Sequence, residues 1–144
     1  MTVRADRGSG FRTDWRTPPD LFAAWHARFR FTVDAAASDD MLFPRWWGEA
    51  DDALTLSWAG ERVYCNPPYG PHLGDWIRKA AEREAVIAVL LIPVRSDTAW
   101  WHEAVWPCAE IEFLRGRVGF AGMDPGQRTR APFPSCLAIY RKLP

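Results

Sequence analysis

Along the chain, segments in which apolar residues return every three or four positions alternate with short unbroken apolar runs. That is the pattern of helices alternating with buried strands. Trp15–Phe29 (WRTPPDLFAAWHARF) predicts a helix: Thr17 stands where a cap would, prolines fall in the first turn, and Leu21, Phe22, Trp25 and Phe29 form an apolar stripe. Phe31–Val33 reads as a short strand stopping at Asp34 and three alanines, and residues 39–60 fit neither period. Glu61–Cys65 is a second strand, Leu73–Glu84 has helical spacing, and Ala85–Pro93 is an apolar run suited to a strand covered on both faces of a parallel sheet. Asp97–Val105 reads as helix with Asp97 near its start, and Glu110–Leu114 as strand. Gly116–Phe120 and Cys136–Tyr140 could form the arms of a hairpin around the loop Ala121–Ser135. These elements predict one three-layer α/β domain over residues 15–144, its sheet mostly parallel with an antiparallel C-terminal hairpin. Met1–Asp14, rich in Gly, Ser and Arg, reads as a flexible arm.

Composition narrows the class without naming a function. No apolar run nears the roughly 18–20 residues that span a bilayer, and no leader pattern is present, so a cytoplasmic protein is expected. Three cysteines without C-x-x-C spacing suit core thiols in a reducing compartment better than a disulfide frame or a zinc site. The net charge is zero but unevenly spread: residues 34–61 carry seven acids against one Arg, while residues 1–30 carry six Arg against three acids. Residues 110–144 carry six basic groups against three acids. Either this is an ordinary solvated surface, or a pocket for a small cation is flanked by surfaces suited to an anionic polymer.

The strand ends carry the candidate chemistry. Ligands of open α/β sheets bind beyond the carboxyl ends of the strands, and three strands here run into Asp34-Ala-Ala-Ala-Ser, Asn66-Pro-Pro-Tyr and Pro93-Val-Arg-Ser-Asp. No glycine-rich phosphate cradle is present. A carboxylate followed by small residues suits a ligand with an amine, a ribose or a positive centre, and S-adenosylmethionine has all three; the other reading of Asp34 is a helix cap. An amine conjugated to a ring is a poor nucleophile, and acceptors around its N–H bonds bring out its lone pair. Asn66 can supply a side-chain carbonyl, Pro67 a main-chain carbonyl held by fixed φ, and Tyr69 a face on which a planar ring stacks. Otherwise the tetrapeptide merely ends a strand in a turn. In-line methyl transfer requires no metal, and none is expected.

The pieces DWRTPPDLF, FTVDAAAS, DDALTLSW, VYCNPPYG, LLIPVRSDTAWWHE, EIEFLRGRVGF and APFPSCLAIY, in this order from Asp14 to Tyr140, resemble the phage-type DNA adenine N-methyltransferases. The resemblance implies a Rossmann-like methyltransferase sheet, S-adenosylmethionine as cofactor, and DNA as partner, its adenine flipped out of the duplex. It implies that Asn66, Pro67, Pro68 and Tyr69 hold the target amine. Thr17 and Pro18, with Pro19, would pack against the methionine end of the cofactor; Asp34, Ala35 and Ala36 would form its main binding strand; Asp52 and Leu54 would lie near the adenosine. Arg95, Asp97 and Trp100 would line the same cleft toward base or DNA, with core packing an equal reading for Trp100. Arg115, Arg117, Arg128 and Arg130 are expected on the polymer surface. Two departures stand out: Asp40-Met41-Leu42 replaces the usual Asn-Ala-Lys, and no separate recognition domain fits in 144 residues. Sequence reading would then come from loops such as Ala121–Ser135 or from a homodimer partner. The alternatives are methylation of RNA adenine or protein glutamine, or a non-catalytic DNA-binding relative.

Overall fold

The computed structural model describes residues 15–37, 42–121 and 128–144. The proposed arm, Asp40 and Met41, and the centre of the Ala121–Ser135 loop lie outside those residues. Helix α1 (Pro19–Phe29) starts at a proline, whose missing N–H costs nothing in the first turn, and buries Phe22, Trp25 and Phe29. It ends where Arg30 turns left-handed (φ 55°) and returns its N–H to His26 O at 2.9 Å. Strand β1 (Val33–Asp34) is followed by two short 3-10 turns, Glu49–Asp51 and Ala53–Thr55. Then come β2 (Arg62–Cys65), α2 (Leu73–Ala81), β3 (Ile87–Pro93), a π-wound turn (Trp101–Val105) and β4 (Glu110–Phe113). The chain continues through β5 (Gly119–Ala121), β6 (Arg128–Arg130) and β7 (Ser135–Arg141).

The main sheet has the order β1-β2-β3-β7-β4. β1, β2 and β3 are parallel, and β7 runs antiparallel to both its neighbours, β3 and β4. The expected hairpin is therefore corrected. Cys136–Tyr140 belongs to an interior strand, all six residues from Ser135 to Tyr140 being buried, while Gly119–Ala121 pairs with Arg128–Arg130 in a separate two-stranded sheet. A fully apolar strand needs a neighbour on each side to satisfy its backbone, which a two-strand hairpin cannot give.

Register assigns the faces. Tyr64, Val89 and Ile139 stand in one row, and the Tyr64 ring meets Phe22 and Trp25 at 5.1 and 6.1 Å, so α1 covers this side. Val63, Ala88 and Tyr140 form the adjacent row, facing the other way. There the Tyr140 hydroxyl donates to Ala104 O at 2.7 Å, in the π-wound turn against which α2 packs. Three layers result, as expected. The third helix differs from its sequence pattern. Asp97 stands near its start as expected, but Thr98 Oγ1 is the group that accepts from Trp101 N at 3.2 Å, and the turn widens so that Trp106 N reaches Trp101 O at 2.8 Å. Among the described residues no helix is long and apolar enough to cross a membrane.

Candidate active site at the carboxyl edge of the parallel strands

At the end of β1, Asp34 is buried and its Oδ1 accepts the Ala36 N–H at 3.2 Å, capping a turn; no helix follows it directly. Its backbone N–H donates to Arg45 O at 3.1 Å and its carbonyl accepts from Trp47 N at 2.8 Å, so residues 45–47 run alongside the strand end. On the other side Ala35 N donates to Tyr64 O at 2.9 Å. Ala35 is buried and Ala36 half-buried, two small side chains directly after the carboxylate. Asp52, exposed and left-handed (φ 50°), joins the two 3-10 turns just after this segment, and Leu54 is half-buried in the second. Of the acids described in this part of the chain, Glu61 pairs with Arg45, and Asp51 Oδ2 accepts from Gly48 N at 2.7 Å.

β2 stops at Cys65 because Pro67 and Pro68 have no N–H to continue a ladder. The Asn66 amide nitrogen donates to Trp15 O at 2.5 Å. A carbonyl can only accept, which fixes the amide orientation and turns Oδ1 away from Trp15. That oxygen is buried with no hydrogen-bond partner among the described residues. Leaving a buried acceptor unpaired costs about 1–3 kcal/mol, so such an atom calls for an explanation.

Segment 15–18, which crosses the end of β2, is pinned from below. Thr17 Oγ1 and the Tyr64 hydroxyl are 2.6 Å apart, both buried. Burial pushes the Tyr64 phenol well up, against the lowering effect of Thr17, so the pair is neutral. Thr17 is therefore no helix cap: Pro18 occupies the N-cap position, and the threonine hydroxyl ties this segment to the sheet. From above, Ala121 N donates to Arg16 O at 2.9 Å, joining the segment to β5.

Tyr69, expected to offer a face to a planar ring, is covered in this structure. Its ring presents no open face, being 1% exposed and met edge-on by Phe120 at 6.2 Å and Phe133 at 5.7 Å. Its hydroxyl donates to Leu91 O at 2.8 Å. Cys65 stands opposite Leu90 in register, so this phenol serves a β3 carbonyl just where the prolines leave β2 without a donor. Trp15 completes the aromatic cluster, 5.2 Å from Phe120 and 5.7 Å from Phe133. Burial raises the Tyr69 phenol strongly, and the positive charge of Arg95 opposes this only weakly. Asp97 is exposed, and half-buried Trp100 lies 3.1 Å from where a side chain on Gly74 would begin, the close packing of a core residue. The thiols of Cys65 and Cys136 are pushed up by burial, Cys136 to about 12, as suits inert core groups.

Arg115, Arg117 and Arg128 line a cleft of about 330 Å³ with Pro18, Asp20 and Trp25. Arg128 reaches Asp20 Oδ1 at 3.4 Å, both side chains largely exposed, an arrangement in which an ion pair contributes little. Arg130 is exposed on the same strand, β6, outside that lining.

Residues 7–143 match the family model described as DNA N-6-adenine-methyltransferase (Dam). The chain belongs to that family. A Dam-family relative called DNA N-6-adenine-methyltransferase, from Escherichia phage T1, is 31% identical over 106 residues, covering 69% of this chain and 44% of the relative. One of the same name from Haemophilus phage HP1 (strain HP1c1) is 23% identical over 136 residues, 90% of this chain and 78% of the relative. The chain thus spans less than half the length of the T1 protein and about three quarters of the HP1 protein. In this Dam-family chain the structure gathers Asn66, Tyr69, Thr17, Pro18 and Arg95 around one strand edge. It adds Trp15, Phe120, Phe133 and Ser135, which sequence reasoning passed over. The three rings sit inside the quoted family pieces, but nothing local tells an aromatic of the core from one of a site.

Proposed function

We propose that this Dam-family chain transfers a methyl group to the 6-amino group of adenine in DNA, with S-adenosylmethionine as donor, on a Rossmann-like sheet. The observation that carries the proposal is the Oδ1 of Asn66, buried beside the aromatic cluster with no hydrogen-bond partner among the described residues. An acceptor held there, its amide locked by Trp15, matches an N–H donor brought by a substrate.

The residues around Asp34 fit the cofactor. A buried carboxylate at a parallel strand end, followed by two small residues, suits an amine- and ribose-bearing ligand, and Asp52 and Leu54 follow in the adjoining turns. Asp34, Ala35, Ala36, Asp52 and Leu54 would hold it, with Thr17 and Pro18 closing the end over β2. When bound it supplies an electrophilic methyl on a sulfonium. Asn66 Oδ1 and the Pro67 carbonyl then accept the two amine N–H bonds, favour a tetrahedral nitrogen and direct its lone pair. The base must leave the duplex to reach them. Tyr69 lies beneath half-buried Phe133, so entry of a base against it requires that ring to turn aside. Arg115, Arg117 and Arg128 supply a cationic cleft for the phosphate backbone, and Arg130 extends it along β6.

The test is Asn66→Ala, assayed for labelled methyl transfer to DNA, RNA and protein in parallel. The expected outcome is transfer to adenine in DNA that falls about 10²–10³-fold in kcat, with cofactor affinity unchanged. Transfer at the parental rate would remove Asn66 from the chemistry, and preference for RNA or protein would change the acceptor.

A further inference from the structure

A second buried side-chain atom stands at the same edge without a hydrogen-bond partner among the described residues, Ser135 Oγ. The residue is 1% exposed. Its carbonyl accepts from Leu114 N at 3.0 Å, and it stands opposite Pro93 in the β3–β7 register. The hydroxyl finds no partner among the described residues, although a hydroxyl can turn to find any acceptor within reach.

Its place in the sheet suggests why. In the order β1-β2-β3-β7, Asp34 ends β1, Asn66 follows β2, and Ser135 opens β7 opposite the last residue of β3. Asp34 and Ser135 therefore flank Asn66 on opposite sides. Neighbouring strands lie about 4.8 Å apart and each residue rises about 3.3 Å, so Ser135, two strands across and two residues further along, is about 12 Å from Asn66 backbone to backbone, a span an adenine and two side chains can bridge. In-line transfer puts donor and acceptor on opposite sides of the moving methyl. With the donor held on the Asp34 side, the base lies on the Ser135 side. Alternation from Ile139 and Leu137 places Ser135 on the α1 face, where Tyr64 and Thr17 meet beneath the Trp15 segment. Two residues earlier, Phe133 packs on both Trp15, which holds Asn66, and Tyr69.

We propose that the Ser135 hydroxyl positions the target base, donating to a ring nitrogen of the adenine whose amine Asn66 holds. This rests on the function proposed above. The group adds what Asn66 alone lacks, a second point that fixes the rotation of the purine in its plane.

The test combines Ser135→Ala and Ser135→Thr with DNA whose target adenine is replaced by its 1-deaza, 3-deaza or 7-deaza analogue. Ser135→Ala is expected to lower kcat/KM on adenine about 5- to 10-fold, with Thr restoring most of it. One analogue should cost the parent enzyme a similar factor and cost Ser135→Ala nothing further, while the other two remain sensitive to the substitution. An equal penalty from Ser135→Ala on all four substrates would mean a structural role and overturns the proposal. Asn66→Ala run alongside separates the two levels. If it loses rate while the Ser135→Ala penalty is uniform, only the Ser135 role falls; if it keeps the parental rate, both fall.

Discussion

Replacing Tyr69 by Phe deletes a single oxygen, and its consequence can be worked from the structure. The ring remains, with its edge-on contacts to Phe120 and Phe133. What goes is the 2.8 Å bond to the carbonyl of Leu91, a residue with no exposure at all. A buried hydrogen bond contributes about 1 kcal/mol net, and a stranded buried acceptor costs about 1–3 kcal/mol. Pro67 and Pro68 carry no N–H, so they cannot step in at this end of β2. The expected loss is about 1–3 kcal/mol, or roughly 3–10 °C in Tm at the scaling of chains this size. Urea denaturation followed by tryptophan fluorescence reads it directly. Cofactor affinity should hold, since Asp34 lies one strand beyond β2. A midpoint within about 0.3 kcal/mol of the parent would refute the assignment, showing that the phenol is dispensable to the strand edge.

Two further outcomes follow from charge. Glu61 is held below the usual carboxylate range chiefly by its hydrogen bonds from Arg45, with a smaller contribution from Thr32 and against a raising effect of burial. A lowered folded value means stability present above the unfolded pKa of 4.5 and lost as pH falls through the folded one. Glu61→Gln should thus be less stable than the parent by up to about 1 kcal/mol at pH 7, the gap closing below about pH 4.5; a gap that is constant to pH 3 would rule out the pair. Replacing Arg117 and Arg128 together should flatten the log–log salt dependence of DNA binding by about 1.8, at about 0.9 per phosphate contact, and leave cofactor binding alone. An unchanged slope would place the DNA elsewhere.

Local pattern revealed the elements and the three polar strand ends, because burial on one or two faces writes itself into nearby residues. α1 and β3 stand where their apolar positions put them. α2 stops at Ala81, short of Glu84, because Arg83 turns left-handed (φ 55°). The pairing of β7 was not legible: an all-apolar run states that it is covered, not by which strands, and its partners lie far off in sequence. β6 was hidden for the opposite reason, since Arg128-Thr129-Arg130 is a polar strand in a small exposed sheet. At the site, Asn66 and Asp34 were visible as residue types out of place at strand ends. The covering of Tyr69 was not, because Trp15, Phe120 and Phe133 come from three separate segments. Ser135 left no sign at all, as a lone serine beside a proline resembles any turn.

The interior position of β7 also bears on how the chain is made. Synthesis at about 5–20 residues per second takes about 2–10 s to proceed from Pro93 to Arg141. Throughout that interval β1, β2 and β3 can pair, yet β3 exposes a seven-residue apolar edge that its proper neighbour has not arrived to cover. The nascent chain thus passes through a stage in which its stickiest strand is half-zipped, the stage at which a holding chaperone would act. A stop codon ahead of Ser135 would make that stage permanent, since it removes not a tail but the middle of the sheet.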